Sequence, residues 1–301
     1  MTHPAIPVLN GNKKTVVVTG ASSGIGQASV LRMLQAGWQV FATVRKQQDA
    51  GRLQSEHRAG LKPIIMDIQS RSTITAAVEQ VSSQLNGRGL DGLVNVAGIG
   101  MARPIEYVTN EDMQEIFDIN VFGQIAVTQA FLPLIRQSKG RIVNITSVGA
   151  HIAIPFGGLL NASKSAFSLL SDTLRLELHP FGIHVSDVSP GAIKTPAVDK
   201  TLGNIETVIS KLPASGAAQY GEMLRSFARR AFAREMNGSV PDVVAQVVEH
   251  ALTSPRPKIR YHAGKDAKLL VTLSSILPDW LLDIIRFKQL GLPSRFGAVQ
   301  S

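Results

Sequence analysis

From residue 16 to residue 188 the chain alternates short apolar runs with segments of helical period, and no other feature limits its fold so strongly. Runs of strand length that are β-branched and apolar at nearly every position suit strands covered on both faces. The helical segments between them supply that cover, so the order predicts an α/β fold with a doubly wound parallel sheet. Strands are expected at residues 16–19, 40–44, 64–66, 93–95, 142–145 and 185–188, with a seventh at 259–262. The clearest helix carries Ile74, Ala77, Val78, Val81 and Leu85 on one face, with Ser70 or Ser72 as its N-cap. Another is expected over residues 162–178.

A chain of 301 residues can fill one such three-layer domain. No repeat, low-complexity tract or Pro/Ser-rich linker divides it, so residues 1–301 are read as a single domain. Residues 196–240, the one long interruption before the last strand, read as an inserted lid, and residues 266–301 as a helical tail. The absence of cysteine excludes disulfides, thiolate nucleophiles and Cys-ligated metals. The seven histidines show no ligand spacing, so no metal site is expected. Residues 1–7 lack a charged start followed by an apolar stretch, which makes a cytoplasmic location the default. The greasiest stretch, residues 269–287, is interrupted by Ser274, Ser275, Pro278, Asp279 and Asp283, and no transmembrane helix is expected. The formal charge of +9 attracts anions in general, but no run of like charges forms a nucleic-acid arm.

After the first strand comes Thr19-Gly20-Ala21-Ser22-Ser23-Gly24-Ile25-Gly26, and then a segment that reads as helix to about residue 36. Glycines at a strand-to-helix turn let a pyrophosphate approach the backbone, while the amides and the positive dipole end of the helix favour its charge. The spacing is Gly-x-x-x-Gly-x-Gly rather than Gly-x-Gly-x-x-Gly. With Asn95-Val96-Ala97-Gly98, Asn120, Ser147, Ala162-Ser163-Lys164 and Pro190-Gly191 before Thr195, the chain resembles the short-chain dehydrogenases/reductases over about residues 13–265.

The resemblance implies a seven-stranded Rossmann-like fold and a nicotinamide dinucleotide cofactor. Gly20, Ser22, Ser23, Gly24, Ile25 and Gly26 would line the pyrophosphate, and Asp67 would meet the adenine amino group, although an N-cap role for Asp67 is a rival reading. Ala97 and Gly98 leave room for the cofactor, and Pro190, Gly191, Ile193 and Thr195 would flank its carboxamide and phosphates. Asn95 belongs to the same element and would act chiefly by tying neighbouring strands together. The second strand ends in Val44-Arg45-Lys46 with no acid before Asp49. Arg45 can pair with a 2′-phosphate, so NADP(H) is favoured over NAD(H).

In that family a tyrosine moves the proton that accompanies hydride transfer. A lysine four residues later lowers its pKa and binds the nicotinamide ribose, a serine holds the substrate oxygen and an asparagine steadies a water relay. Asn120, Ser147 and Lys164 occupy the last three positions, but the residue four before Lys164 is Leu160. Ser147 lies 13 residues before position 160 and Asn120 lies 27 before Ser147, which matches the family's spacing without a gap. Leucine cannot exchange a proton, so the chain reads as an oxidoreductase scaffold whose turnover is weak or absent. The alternative is a non-catalytic NADP(H)-binding regulatory protein. His151, four residues after Ser147, and Lys164 itself are the candidates for a substitute proton donor.

Within the lid, residues 222–235 set Met223, Leu224, Phe227, Ala228, Ala231 and Phe232 against Arg225, Arg229, Arg230 and Arg234. That mixture suits a lipid-like or phosphorylated carbonyl compound, or simply an amphipathic helix with solvated arginines. Residues 172–183 resemble the branch that holds retinol, hydroxysteroid and acyl-dihydroxyacetone-phosphate reductases, which implies an apolar small-molecule carbonyl or alcohol substrate. The resemblance also implies a homodimer or homotetramer. No nucleic-acid partner is expected, and the tail is a candidate for contact with a membrane surface or a second subunit.

Overall fold

The computed structural model describes residues 13–56 and 58–297, so the expectation at residues 1–7 lies outside the described residues. Seven parallel strands form one sheet: β1 (Thr15–Val18), β2 (Gln39–Val44), β3 (Leu61–Ile65), β4 (Gly92–Asn95), β5 (Arg141–Ile145), β6 (His184–Pro190) and β7 (Arg260–Ala263). They run in the order β3-β2-β1-β4-β5-β6-β7. The chain winds outward from β1 to β3 and then returns to place β4 on the other side of β1. That reversal opens a crevice at the carboxyl ends of β1 and β4, where ligands of such sheets bind.

The strands match the expected ones to within a few residues. Residues in β1 alternate between two cores: Val16 and Val18 face one, and Val17 faces the other. The first core is covered by α1 (Gly24–Gln35) and by α2 (Gln47–Ser55). On the opposite face lies α3 (Arg71–Leu85), whose Ile74, Ala77, Val81 and Leu85 are buried as its spacing predicts. Ser70 is its N-cap, accepting a hydrogen bond from the Thr73 amide. The left-handed Asn86 ends the helix.

A continuous helical run follows: α4 (Asn110–Phe117), a π-helical segment at Asp118–Gly123, and α5 (Gln124–Ser138). By length and composition this run is long and apolar enough to cross a membrane. Its Ile116, Val127, Phe131 and Ile135 are fully buried, and it serves as a core helix against the sheet. Next comes α6 (Gly158–Leu178), which starts four residues before the expected position and contributes Leu174 and Leu178 to the second core.

The inserted segment after β6 comprises α7 (Pro196–Leu202), α8 (Ile205–Ser210) and α9 (Ala214–Met236). α9 begins well before the expected amphipathic stretch, because Ala214, Ala217, Ala218 and Gln219 favour a helix without adding an apolar stripe. Then α10 (Asp242–Thr253) packs beside α1 on the first core through Val244, Val248 and Leu252. Past β7 the tail forms α11 (Ala267–Ile276) and α12 (Asp279–Leu290).

Candidate active site

Two adjoining cavities open along the carboxyl ends of β1, β4, β5 and β6. The first, 450 Å³, is lined by Gly20, Ser22, Ser23, Gly24, Ile25 and Gly26 of the glycine turn, together with Arg45, Asp67, Ala97, Gly98 and Thr195. The second, 310 Å³, is lined by Ser147, Leu160, Lys164, Pro190, Gly191 and Ile193 and roofed by α7 and α9. They share Ile25, Gly98 and Thr195, so an elongated ligand can lie across both.

The glycine turn is shaped by contacts that leave no room for side chains. A Cβ on Gly26 would stand 2.2 Å from the Gly20 carbonyl oxygen, and one on Gly20 would stand 2.9 Å from Ala97 Cα. Gly20 and Gly24 also have φ of +63° and +55°, a region costly for other residues. Ser23 is the N-cap of α1 but places no side-chain oxygen on the first-turn amides. Those donors are thus left for an anion, and a dinucleotide pyrophosphate fits this cradle. Thr19 Oγ1 accepts hydrogen bonds from the amides of Val96 (2.9 Å) and Ala97 (3.1 Å), which pins the ends of β1 and β4 together.

Asp67 is not an N-cap, since Ser70 holds that position. Its Oδ1 accepts from the Gln69 amide at 3.0 Å and its side chain lines the first cavity. Arg45 stands exposed at the rim. Arg52 of α2, which the sequence pattern did not single out, donates to the Ser22 carbonyl at 2.5 Å and adds a second cation at this end. Lys200 of α7 lines the same cavity. Asn95 is fully buried behind the cavity wall and lines neither space, which suits the strand-tying role expected of it and not a direct cofactor contact. Its Nδ2 donates to Thr128 Oγ1 at 2.9 Å and to Asn144 Oδ1 at 2.8 Å, so it joins β4 to β5 and to α5.

Ser147, Leu160 and Lys164 line the second cavity together, while Asn120 is fully buried, lines neither cavity and stands behind the wall beside Gly98 and Lys164. The π-helical segment lets Asn120 turn inward, where Nδ2 donates to the Ile99 carbonyl and Oδ1 accepts from the Ile99 amide, each at 2.9 Å. A Cβ placed on Gly98 would sit 3.1 Å from Asn120 Oδ1 and 3.3 Å from Lys164 Nζ, so both polar atoms crowd the same point. Lys164 is 6% exposed and donates from Nζ to the Ile145 carbonyl at 2.9 Å. Burial pushes its pKa down to about 8, with the Asp187 carboxylate opposing that shift. Ser147 follows β5 and its Oγ accepts from the Gly149 amide at 3.0 Å, leaving the hydroxyl proton unused by that bond. Leu160 lies one helical turn before Lys164 on α6, so the two side chains enter the cavity from the same helix face.

His151 does not enter either cavity. Its Nε2 lies 3.2 Å from Ser189 Oγ, within a buried network in which Asp187 accepts from Thr146, Ser168 and Ser189, and burial lowers the histidine's pKa. Tyr107, Tyr220 and Tyr261 line neither cavity. The remaining charges on the second cavity are Arg234 and Glu235 at the end of α9. Glu235 Oε2 accepts from the Ile193 amide at 3.1 Å, and burial raises its pKa. Sequence spacing gave no signal for Glu235, because its approach to Ile193 depends on how α9 folds back over the sheet. Among the described residues no group of three His, Cys, Asp or Glu is placed to hold a metal.

A family profile described as short chain dehydrogenase matches residues 14–205, which span the glycine turn, Asn120, Ser147 and Lys164. The chain belongs to the short-chain dehydrogenase family. Its relatives include retinol dehydrogenase 5 of Mus musculus, 36% identical over 90% of this chain and 86% of the relative. Another is 17-beta-hydroxysteroid dehydrogenase type 6 of Rattus norvegicus, 34% identical over 90% of this chain and 87% of the relative. These place the chain in the retinol and hydroxysteroid branch. Among solved structures, a short-chain dehydrogenase from Streptomyces avermitilis superimposes with a TM-score of 0.73 at 25% identity, covering 95% of this chain and all of that one. A short chain dehydrogenase from Burkholderia cenocepacia, solved in complex with NADP, shares the fold with a TM-score of 0.69 at 21% identity, over 92% of this chain and 99% of that one.

Proposed function

We propose that this short-chain dehydrogenase family member binds NADP(H) across the two cavities and carries an oxidoreductase site for an apolar carbonyl or secondary alcohol, with turnover held low by Leu160. The observation that carries this reading is the junction at Gly98, where the glycine cradle of one cavity runs into the other, lined by Ser147 and Lys164, with the buried Asn120 packed behind Gly98. The bound nicotinamide would supply or accept hydride. Every other requirement falls on the chain's own residues.

Ser147 Oγ can donate to the substrate oxygen, and the Lys164 ammonium can bind the cofactor ribose while stabilising negative charge near it. Asn120, locked on both sides to Ile99, keeps the floor beneath Lys164 rigid. Carbonyl reduction also consumes a proton at the substrate oxygen, and the aliphatic side chain at position 160 has none to give. Positioned acids and bases contribute about 10²–10⁴-fold to such rates, so the deficit here should be of that size. Lys164, on the same helix face as Leu160, is the group we offer as the source of a residual rate. The wall of the second cavity, with Ile154, Leu160, Val198, Leu202, Phe227 and Leu290, suits an apolar substrate.

The phosphorylated cofactor is favoured because Arg45 and Arg52 flank the end of β2 and no carboxylate terminates that strand. Self-association is assigned to the exposed Leu169 and Leu176 on one face of α6. The test is an equilibrium titration of the purified chain with NADPH and NADH in parallel. NADPH should bind at least about tenfold more tightly, the equivalent of one charge-assisted contact. Equal affinity would remove the Arg45 assignment. Tight binding combined with no turnover in any variant would favour a cofactor-responsive binding protein on the same fold.

A further inference from the structure

The second cavity holds a charge that hydride and proton transfer do not use. Its wall is largely aliphatic and aromatic, and the charged residues among those lining it are Lys164, Arg234 and Glu235. Lys164 rises from α6, with Nζ on the Ile145 carbonyl at 2.9 Å. Arg234 and Glu235 enter from the roof, in the last turn of α9. Phe227, Ala231 and Arg234 follow one another at four- and three-residue spacing, so Arg234 extends the face of α9 that already lines the cavity.

The arginines of α9 are engaged very differently. Arg225 donates to Glu206 from Nε at 2.7 Å and from Nη2 at 3.0 Å. Arg230 points Nη1 at the Lys288 carbonyl at 3.4 Å, and Arg229 is exposed. Arg234 is half-buried in the cavity wall, and among the described residues its guanidinium has neither an ion pair nor a hydrogen-bond acceptor. The helix dipole favours a cation in this last turn, but it does so equally for a side chain left in water. A cation set against an apolar wall loses hydration that only a partner restores. Glu235 is not that partner, because its Oε2 accepts from the Ile193 amide at 3.1 Å. Burial raises the pKa of Glu235, while the Ile193 bond and the Arg234 charge oppose that shift, so its hold on Arg234 is weakened further.

We infer that the substrate bears a carboxylate remote from its reacting carbon and that Arg234 pairs with it, so the cavity takes an oxo or hydroxy acid with an apolar body. The inference rests on reading this cavity as the substrate site. A guanidinium offers a planar fork that meets a carboxylate through two parallel hydrogen bonds, which fixes direction as well as affinity. With the acid end held under α9, the carbonyl end is left for Ser147 and Lys164 on the opposite side of the cavity. A monoanion suits the site better than a phosphate, because the roof supplies one cation and places the Glu235 carboxyl beside it. Phe227, Leu202 and Val198 line the space between and cover the apolar body.

The experiment is calorimetry on the full chain, titrated first with NADP⁺ and then with a matched pair of ligands. These are decanoate carrying a keto group beside its terminal methyl, and the methyl ester of the same acid. Oxidised cofactor cannot reduce a ketone, so binding is read without turnover. The acid should bind at least about tenfold more tightly than the ester, as one charge-assisted pair implies. Arg234→Gln should remove that preference and leave the affinity for the ester within about threefold, while Arg234→Lys should keep part of it. Glu235→Gln retains an acceptor for the Ile193 amide and removes the neighbouring negative charge, so the acid should gain about threefold and the ester nothing. A silent NADP⁺ titration would count against the cofactor reading alone, and the same preference for the acid is then expected without cofactor. The inference is overturned by no heat with the acid, by equal affinity for acid and ester, or by a preference that survives Arg234→Gln. It is also overturned if Lys164→Met abolishes the preference with Arg234 intact, because the carboxylate would then sit at Lys164.

Discussion

Replacing Leu160 with Tyr should convert this chain from a holder of cofactor into an efficient reductase. Residue 160 enters the 310 Å³ cavity one helical turn before Lys164, and its Cδ2 lies 3.6 Å from the position where a Gly100 side chain would begin. A phenol at this point projects into open cavity and not into packed core, so little overpacking cost is expected. The supporting groups are already in place: Lys164 Nζ is held by the Ile145 carbonyl, and Asn120 is fixed on Ile99. With the Lys164 pKa at about 8, roughly nine-tenths of the lysine is charged at neutral pH, enough to lower the pKa of a neighbouring tyrosine. The restored donor is worth about 10²–10⁴-fold, or ~3–5 kcal/mol of barrier. The assay is NADPH oxidation with a panel of apolar aldehydes, retinoids and ketosteroids, comparing kcat/KM for the two chains. NADPH affinity should stay within about threefold, because residue 160 makes no pyrophosphate contact. A folded, NADPH-binding Leu160→Tyr variant with no gain across that panel would refute the reasoning about this position.

Three further substitutions or titrations probe separate parts of the site. Arg45→Asp should cost NADPH at least about tenfold in affinity and improve NADH, measured by the same parallel titration; an unchanged ratio would shift the selection onto Arg52. Gly26→Ala places a methyl 2.2 Å from a carbonyl oxygen, so thermal unfolding should show a loss of about 1–3 kcal/mol together with lost cofactor binding. For Lys164, burial lowers the folded-state pKa, so the charged form that binds an anionic cofactor is present below about pH 8 and lost above it. NADPH affinity should therefore fall up to about tenfold per pH unit above that point until the raised pKa of the complex is passed. Lys164→Met should bind more weakly and lose this pH dependence.

The strands were legible because a doubly buried β-strand leaves a dense, β-branched run, and the glycine turn because its conformation excludes other residues. The register that put Leu160 one turn before Lys164 on the same helix face was legible for a similar reason, since four-residue spacing on a helix survives any tertiary detail. What sequence periodicity hid was proximity created by folding. Arg52 reaches Ser22 only because α2 packs back across the end of β2, and Glu235 reaches Ile193 only because residues 237–239 run beside residues 192–194. The π-helical turn at Asp118–Gly123 reads as ordinary helix in composition, yet it is what aims Asn120 at Ile99. His151 looked available from its distance to Ser147 in sequence, but its ring is engaged at Ser189 outside both cavities. Asn95 was read as a strand tie within a cofactor element, and the tie to Thr128 and Asn144 is the role its geometry supports.

The central claim is that a dinucleotide lies across both cavities with its nicotinamide beside an aliphatic side chain. Crystallography of the unaltered chain grown with NADP⁺ tests it most directly. The account predicts pyrophosphate density on the amides of Gly24 and Ile25, the adenosine end between Arg45 and Asp67, and the nicotinamide ring within van der Waals distance of Leu160, with Lys164 Nζ on its ribose. Density for the dinucleotide elsewhere on the protein, or a glycine turn left empty at saturating NADP⁺, would contradict it.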